Sequence, residues 1–215
     1  MASLSSNIRQ DGPVNFDPTP TSVYQRVLGS EFEKLSPELH EYFSLPPEGM
    51  VGRASGTFDV AGSRRGWMKP ILHLLAWHRV VFPGFARDVP FRAINIPGPG
   101  DGLSALREID MPGGIQLIED TMHVIDGRIH DFLGRNRALE VRFNTRVFDG
   151  DLSMISDKLW LHVGGVRIPV PAIFGARVIL TETWRDGKNN VTLTLSNPML
   201  GDLFEYSGSF TYVYE

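Results

Sequence analysis

Residues 115–133 read IQLIEDTMHVIDGRIHDFL, with the pair Asp126-Gly127 between two runs of alternating apolar and polar residues. Asp-Gly suits a two-residue type I′ turn because both central residues need a positive φ. Gly adopts that conformation freely, and Asp adopts it more readily than most residues. The stretch therefore predicts an antiparallel hairpin that joins strands Ile115–Ile125 and Arg128–Leu133.

The same dipeptide recurs at Asp149-Gly150 and Asp186-Gly187, again between alternating runs. These repeats predict two more hairpins, and further strands are expected before and after them. About eight to ten strands with alternating faces favour a mainly β (α+β) fold, a curved antiparallel sheet that closes into a barrel of the lipocalin or helix-grip kind. The predicted strands are Leu139–Phe148 with Asp151–Val163, Ala176–Arg185 with Lys188–Leu195, and Gly52–Ala61, Val89–Ile96, Val166–Val170 and Asp202–Tyr214.

Size and composition narrow the class of protein. A chain of 215 residues with 42% hydrophobic and 21% charged residues has the size and composition of one β domain with a real core. The net charge of -4 provides no global attraction to nucleic acid. The chain has no cysteine, which excludes disulfides and thiol chemistry and fits a reducing, cytoplasmic location. No run of about 18 apolar residues predicts a membrane-spanning helix.

The chain is expected to consist of a flexible tail, residues 1–20, and a single β-rich domain, residues 21–215. The tail is polar, contains several prolines and has no apolar run typical of a signal peptide. Two short helices are predicted at the start of the domain, over Thr21–Gly29 and from Pro37 to Phe43.

A longer helix is predicted over Lys69–Phe82, with Pro70 in its first turn. Its polar stripe is narrow, so it is expected to cover one end of the barrel. Three interpretations remain open for it: a plain core helix, a lid or wall of a pocket, or a contact with a membrane surface.

The first hairpin places two histidines opposite each other. With Asp126-Gly127 as the loop, His123 faces His130 at a Cβ separation of about 5 Å. Glu119 points to the same side, and two histidines with a carboxylate form a known metal arrangement. A half-exposed histidine pair and a pH-sensitive or ligand-contacting pair are the alternatives.

The third hairpin places Glu182 in an apolar stripe. It shares a face with Val178, Leu180 and Leu193, so it is expected to point inward near the mouth of the barrel or to be exposed at the strand end. A buried carboxylate needs a partner or a raised pKa, and it suits a ligand-binding or general-base role. No phosphate loop, nucleophile elbow or calcium loop is present, and no cofactor is expected.

The motifs that carry a family resemblance are Tyr24–Gly29, Phe32, Leu35–Pro37, Asp126-Gly127, Phe132–Gly134, Leu139–Phe143, Leu195–Gly201 and Phe204–Gly208. Together they resemble an uncharacterised bacterial family, the domain of unknown function 4166. The resemblance extends roughly from Ser22 to Phe210, and its motifs are turn glycines and alternating strands. Members often have a Trp in the strand before the first hairpin, which is absent from residues 103–107. The resemblance implies a single domain and no particular reaction.

The favoured hypothesis is a protein that is not an enzyme and binds a hydrophobic small molecule or lipid in the barrel cavity. One alternative is a hydrolase- or isomerase-type enzyme with a His/Glu site in the same cavity. Another is a structural domain or one that binds a partner through an exposed sheet edge. The ligand-binding candidates are Trp67, His73, Trp77, Glu182 and Tyr206. The catalytic candidates are His123, His130 and Glu182.

Overall fold

A computed structural model of the chain describes residues 20–98, 102–171, 173 and 175–215. Of the predicted tail, residues 1–20, all but the last residue lie outside this part. The α-helices are α1 Val23–Leu28, α2 His40–Phe43 and α3 Lys69–Trp77, with 3₁₀ helices at Gly29–Lys34, Pro37–Leu39 and Gly66–Met68. The strands are β1 Gly52–Gly62, β2 Phe85–Pro97, β3 Leu103–Met111, β4 Gly114–Ile125, β5 Arg128–Leu133, β6 Leu139–Phe148, β7 Asp151–Val163, β8 Val166–Pro169, β9 Arg177–Arg185, β10 Lys188–Asn197 and β11 Gly201–Tyr214.

The three Asp-Gly pairs form the predicted turns. Asp126 and Gly127 have φ values of 50° and 71°, and the other two pairs also have positive φ at both residues. The hairpins β4–β5 and β9–β10 follow the registers that their turns set, with Ile125 opposite Arg128 and Lys188 opposite Arg185. The β6–β7 hairpin follows its register from the turn to Phe143, where a bulge shifts the pairing. The local requirement for positive φ is what makes this part of the fold predictable.

Ten of the strands form a closed antiparallel ring, which confirms the predicted barrel. The sheet order is β6-β5-β4-β3-β2-β1-β11-β10-β9-β7-β8, and pairing of β6 with β7 closes the ring. β8 pairs only with β7 and lies outside the ring as a short exposed hairpin. The strand predicted at Val166–Val170 is therefore an edge strand, and it ends at Pro169. β2 begins at Phe85, before its predicted start at Val89.

The N-terminal helices cover one end of the barrel. Apolar side chains of residues 23–43 pack against buried residues of β4 to β9. The backbone N–H of Ser36 donates to the carbonyl of Gly150, and the hydroxyl of Tyr214 donates to the carbonyl of Glu41. This end therefore carries the three Asp-Gly hairpins.

Ser22 holds the start of α1 by a capping box. Its Oγ accepts from the Gln25 N–H at 3.1 Å and donates to the Phe43 carbonyl at 2.5 Å, while the Gln25 side chain accepts from the Ser22 N–H at 2.8 Å.

We expect Ser22→Ala to lower the free energy of unfolding by about 1–2 kcal/mol, because it removes a cap and leaves a buried carbonyl without its donor. Urea denaturation measures the change. Ser30→Ala, at an exposed position, is the matched control, and equal stability of the two variants would contradict the prediction.

Helix α3 ends earlier than predicted, at Trp77 instead of Phe82. Arg79 adopts a φ of 60°, which ends the helix and turns the chain toward the barrel. The carbonyl of Arg79 accepts from the N–H of Glu119 at 3.0 Å, and Val80 and Phe82 are buried. Residues 78–82 therefore cover the second end of the barrel as a turn followed by a bend.

The core-helix interpretation of α3 is wrong. Leu72 is the only buried residue of the helix, and most of its large apolar side chains face outward. Burial of one stripe suffices to attach the helix to the barrel end. No helix in the described part of the chain is long and apolar enough to cross a membrane.

Candidate functional site

A cavity of about 120 Å³ lies inside the barrel. Val80 and Val81 line it from the second end, and Tyr24 and Tyr42 line it from the end with the N-terminal helices. Most of its wall is apolar and comes from the inward residues of the strands. Cavities of this size hold a small ring or a few water molecules.

Four charged side chains line this cavity and define the interior polar cluster: Arg107, Asp120, Asp131 and Glu182. They lie on β3, β4, β5 and β9. Each is two residues away from an inward apolar residue on its own strand, as Arg107 is from Ile109 and Asp120 is from Met122. Because strand side chains alternate between faces, all four point into the barrel. The three carboxylic residues are each at most 7% exposed.

The acids of the interior polar cluster outnumber their partners. Arg107 forms an ion pair with Asp120, and the hydroxyl of Tyr42 donates to Glu182 Oε1 over a long 3.5 Å. Asp120 Oδ2, Asp131 Oδ1 and Glu182 Oε2 are buried and accept no hydrogen bond from the described residues. Buried polar atoms without partners are rare and costly, so these oxygens need donors from solvent or a ligand.

Burial raises the pKa values of the three acids in the interior polar cluster. It raises the pKa of Glu182 to about 8, although Arg107 and Tyr42 oppose the rise. Burial, followed by repulsion from Asp120, raises the pKa of Asp131 well above its usual value. Burial also raises the pKa of Asp120 despite the adjacent guanidinium. At neutral pH Glu182 is therefore largely protonated, and its carboxyl group can donate or accept a hydrogen bond.

Part of the cavity wall is accessible. A quarter of the Arg107 side chain (25%) is exposed, and Tyr206, Leu180 and Leu193 keep partial exposure although they point inward. The cavity of about 120 Å³ beside them shows that the barrel has spare interior volume. The cluster is suited to hold the polar end of a molecule whose remainder contacts the apolar wall.

The structure separates the predicted ligand-binding residues. Glu182 and Tyr206 line the cavity, and burial raises the pKa of Tyr206 to about 12. Trp67, His73 and Trp77 lie on the outside at the second end, where all three are exposed. These three candidates do not line the cavity, whose wall at this end includes Val80 and Val81.

The predicted histidine pair forms, but on the outer face of the barrel. His123 is opposite His130, as expected, while the neighbouring Met122 and Asp131 line the cavity. A His/Glu site inside the cavity is therefore wrong for these histidines. Burial, followed by Arg137 and Arg26, lowers the pKa of His123.

The predicted metal ligands have other partners. Glu119 accepts from Arg79 at 2.7 Å, and His130 Nδ1 lies 2.6 Å from Glu140 Oε1. Within the described ranges, no three His, Asp or Glu side chains are grouped to hold a metal ion.

Glu140 forms the centre of an outer-wall cluster that we define as Glu140, His130, His162, Arg167 and Trp160. His162 Nε2 lies 2.7 Å from Glu140 Oε2, and Arg167 binds both oxygens at 2.6 and 2.9 Å. Arg167 also lies over the Trp160 ring at 3.8 Å. The cluster attaches the β7–β8 hairpin to the wall, and the arginine occupies the position that a cation would need.

Sequence reasoning missed Arg107, Asp120 and Asp131. The alternation of each strand could have predicted their inward direction. In β3, for example, Arg107 lies on the same face as the apolar residues Ala105 and Ile109. The same alternation argument that pointed Glu182 inward applies to β3, β4 and β5.

Comparisons with known proteins agree with the recognised motifs. The family model described as "Domain of unknown function (DUF4166)" matches residues 35–210. The chain is also similar to the "Uncharacterized protein YndH" of Bacillus subtilis (strain 168), with 26% identity over 200 residues, which are 88% of this chain and 96% of that protein. The match extends over most of the barrel, and the chain therefore belongs to the DUF4166 family.

Proposed function

We propose that the barrel is a receptor for a small amphipathic molecule with an apolar body and a polar end that donates hydrogen bonds. The observation that carries this proposal is a set of three buried carboxyl oxygens, at a cavity with a mainly apolar wall, that have no hydrogen-bond donor in the described part of the chain. An amine or hydroxyl of the ligand would supply the missing donors.

The size of the cavity limits the ligand. A volume of about 120 Å³ is near that of an engineered cavity of about 150 Å³ that holds benzene. A longer lipid chain would require Val80 and Val81 to move away from the cavity. The absence of cysteine supports a cytoplasmic receptor.

Three probes of nearly equal shape test the proposal: toluene, benzyl alcohol and benzylamine. We expect the alcohol and the amine to raise the Tm more than toluene does, because only they donate hydrogen bonds. A probe at about 100 times its Kd adds about 2.7 kcal/mol to the free energy of unfolding. Differential scanning fluorimetry over a concentration series measures the shifts.

The matched variants are Glu182→Leu and Glu33→Leu, the second at an exposed position. We expect Glu182→Leu to abolish the advantage of benzyl alcohol over toluene and Glu33→Leu to preserve it. Native mass spectrometry of the gently purified protein, followed by denaturation, identifies any molecule that is released. If no probe shifts the Tm and no molecule is released, the proposal is wrong.

A second candidate function is an enzyme that uses Glu182 as a general acid or base. A pKa of about 8 lies near neutral pH, which suits proton transfer. Incubation of the released molecule with wild-type protein and with Glu182→Gln distinguishes the two functions. Conversion by the wild type alone indicates an enzyme, whereas binding without conversion indicates a receptor.

A further inference from the structure

One end of the barrel exposes a group of large apolar side chains on and before α3. We define the α3 face as Trp67, Ile71, Leu74 and Trp77, whose exposed fractions are 51%, 47%, 56% and 71%. They recur every three or four residues, so they share one side of the segment. The opposite side, with Leu72, attaches the helix to the barrel.

The turn before β11 adds apolar surface beside this segment. Met199 and Leu200 are 72% and 47% exposed. Arg65 Nε donates to the carbonyl of Asp202 at 2.7 Å, which connects the turn to the residues that precede α3. A contiguous exposed apolar area of this kind marks an interaction surface.

Residues 60–87, which include the α3 face, are positively charged, whereas the whole chain is negatively charged. Residues 60–87 contain five cationic residues and no Asp or Glu, in a protein whose net charge is -4. Arg64 pairs with Glu205, and Lys69 is exposed beside the α3 face. The five cations are Arg64, Arg65, Lys69, Arg79 and Arg87.

We propose that the α3 face docks on the surface of an anionic lipid bilayer. Trp side chains prefer the headgroup level of a membrane, and Ile and Leu enter the acyl boundary. Neighbouring lysine and arginine side chains bind anionic headgroups. Apolar and cationic residues on one face therefore match a lipid surface of negative charge.

Docking would place one wall of the cavity next to the membrane. Val80 and Val81 follow α3 directly and line the cavity. The docking proposal goes beyond the proposed receptor function and rests on different residues. A failure of ligand binding in the cavity would leave it intact.

Vesicle flotation tests the docking, with phosphatidylcholine vesicles compared with vesicles that also contain phosphatidylglycerol. We expect binding to the anionic vesicles and at least about tenfold weaker binding to the neutral ones. Raising the salt concentration from about 0.05 M to about 0.5 M shortens the screening length and is expected to weaken binding.

The variant Ile71→Ser/Leu74→Ser/Trp77→Ser is expected to lower binding to anionic vesicles at least about tenfold. All three residues are exposed, so the Tm is expected to stay close to that of the wild type. Phe148→Ser is the control, because Phe148 is 75% exposed beside the Asp149-Gly150 hairpin at the opposite end. It is expected to bind like the wild type.

Two results would overturn the proposal: no binding to the anionic vesicles, or equal binding by the triple variant and the wild type. Light scattering identifies a second copy as the competing occupant. A dimer that the triple variant loses, without any vesicle binding, would assign the α3 face to self-association. Vesicle binding by Glu182→Leu is expected to equal that of the wild type.

Discussion

Glu140→Ala is expected to lower the free energy of unfolding by about 3–5 kcal/mol near neutral pH. Glu140 is 1% exposed and accepts from Arg167 and both histidines of the outer-wall cluster. The substitution leaves buried His130 without its acceptor and removes the anion that holds Arg167. Because Arg167 is 46% exposed, solvent screens its interaction with Glu140. Most of the loss in the free energy of unfolding therefore comes from His130.

The pH dependence of this loss gives a second measurement. Burial alone would raise the pKa of Glu140, but hydrogen bonds from Arg167, His130 and His162 lower it below 4.5. The stabilisation is therefore complete above the unfolded pKa and is lost as the pH falls through the folded pKa. We expect the stability difference between wild type and variant to shrink below about pH 4.5.

Urea denaturation at several pH values measures both effects. Glu33→Ala, at an exposed position, is the matched control and is expected to change stability by less than about 0.5 kcal/mol. A loss of under about 1 kcal/mol for Glu140→Ala would show that the cluster does not hold the β7–β8 hairpin.

Glu182→Gln is expected to stabilise the protein in alkaline solution and to remove much of its pH dependence. Burial raises the pKa of Glu182 from 4.5 to about 8. Between these values the folded state keeps a proton that the unfolded state releases, so the wild type loses stability as the pH rises. A shift of this size corresponds to about 5 kcal/mol above about pH 8.

We therefore expect Glu182→Gln to be more stable than the wild type by a few kcal/mol at about pH 9, and close to it at about pH 5. Burial also raises the pKa of Asp131, so a slope of the same sign remains in the variant. Glu33→Gln is expected to reproduce the wild-type profile. A wild-type stability that is flat from pH 5 to 8 would contradict the burial of Glu182.

The hairpins of the barrel could be predicted because each depends on residues that are neighbours in the chain. A type I′ turn needs positive φ at two adjacent residues, and Asp126-Gly127 meets that need without help from the rest of the chain. Once a turn is set, period-two alternation sets the register and the face of every residue in both strands. His123 opposite His130 and the inward face of Glu182 follow from this reasoning.

The orientation of α3 was not predictable from its composition. An apolar sequence at Lys69–Trp77 indicates burial, but the end of the barrel accepts only one side of the helix. Arg79 turns the chain and brings Val80 and Phe82 into the interior instead. Which apolar residues are buried depends on the volume available at the end of the barrel, and a local sequence pattern does not reveal that volume.

The sequence alone determined the hairpins, the alternation of faces and the family to which the chain belongs, because these depend on neighbouring residues and on local φ. Closure of the ring brought β3, β4, β5 and β9 around one cavity. Only the folded barrel shows that Asp131 Oδ1 and Glu182 Oε2 have no donor among the described residues. Whether a buried polar group has a hydrogen-bond partner depends on residues distant in the chain, so the site is a property of the tertiary structure.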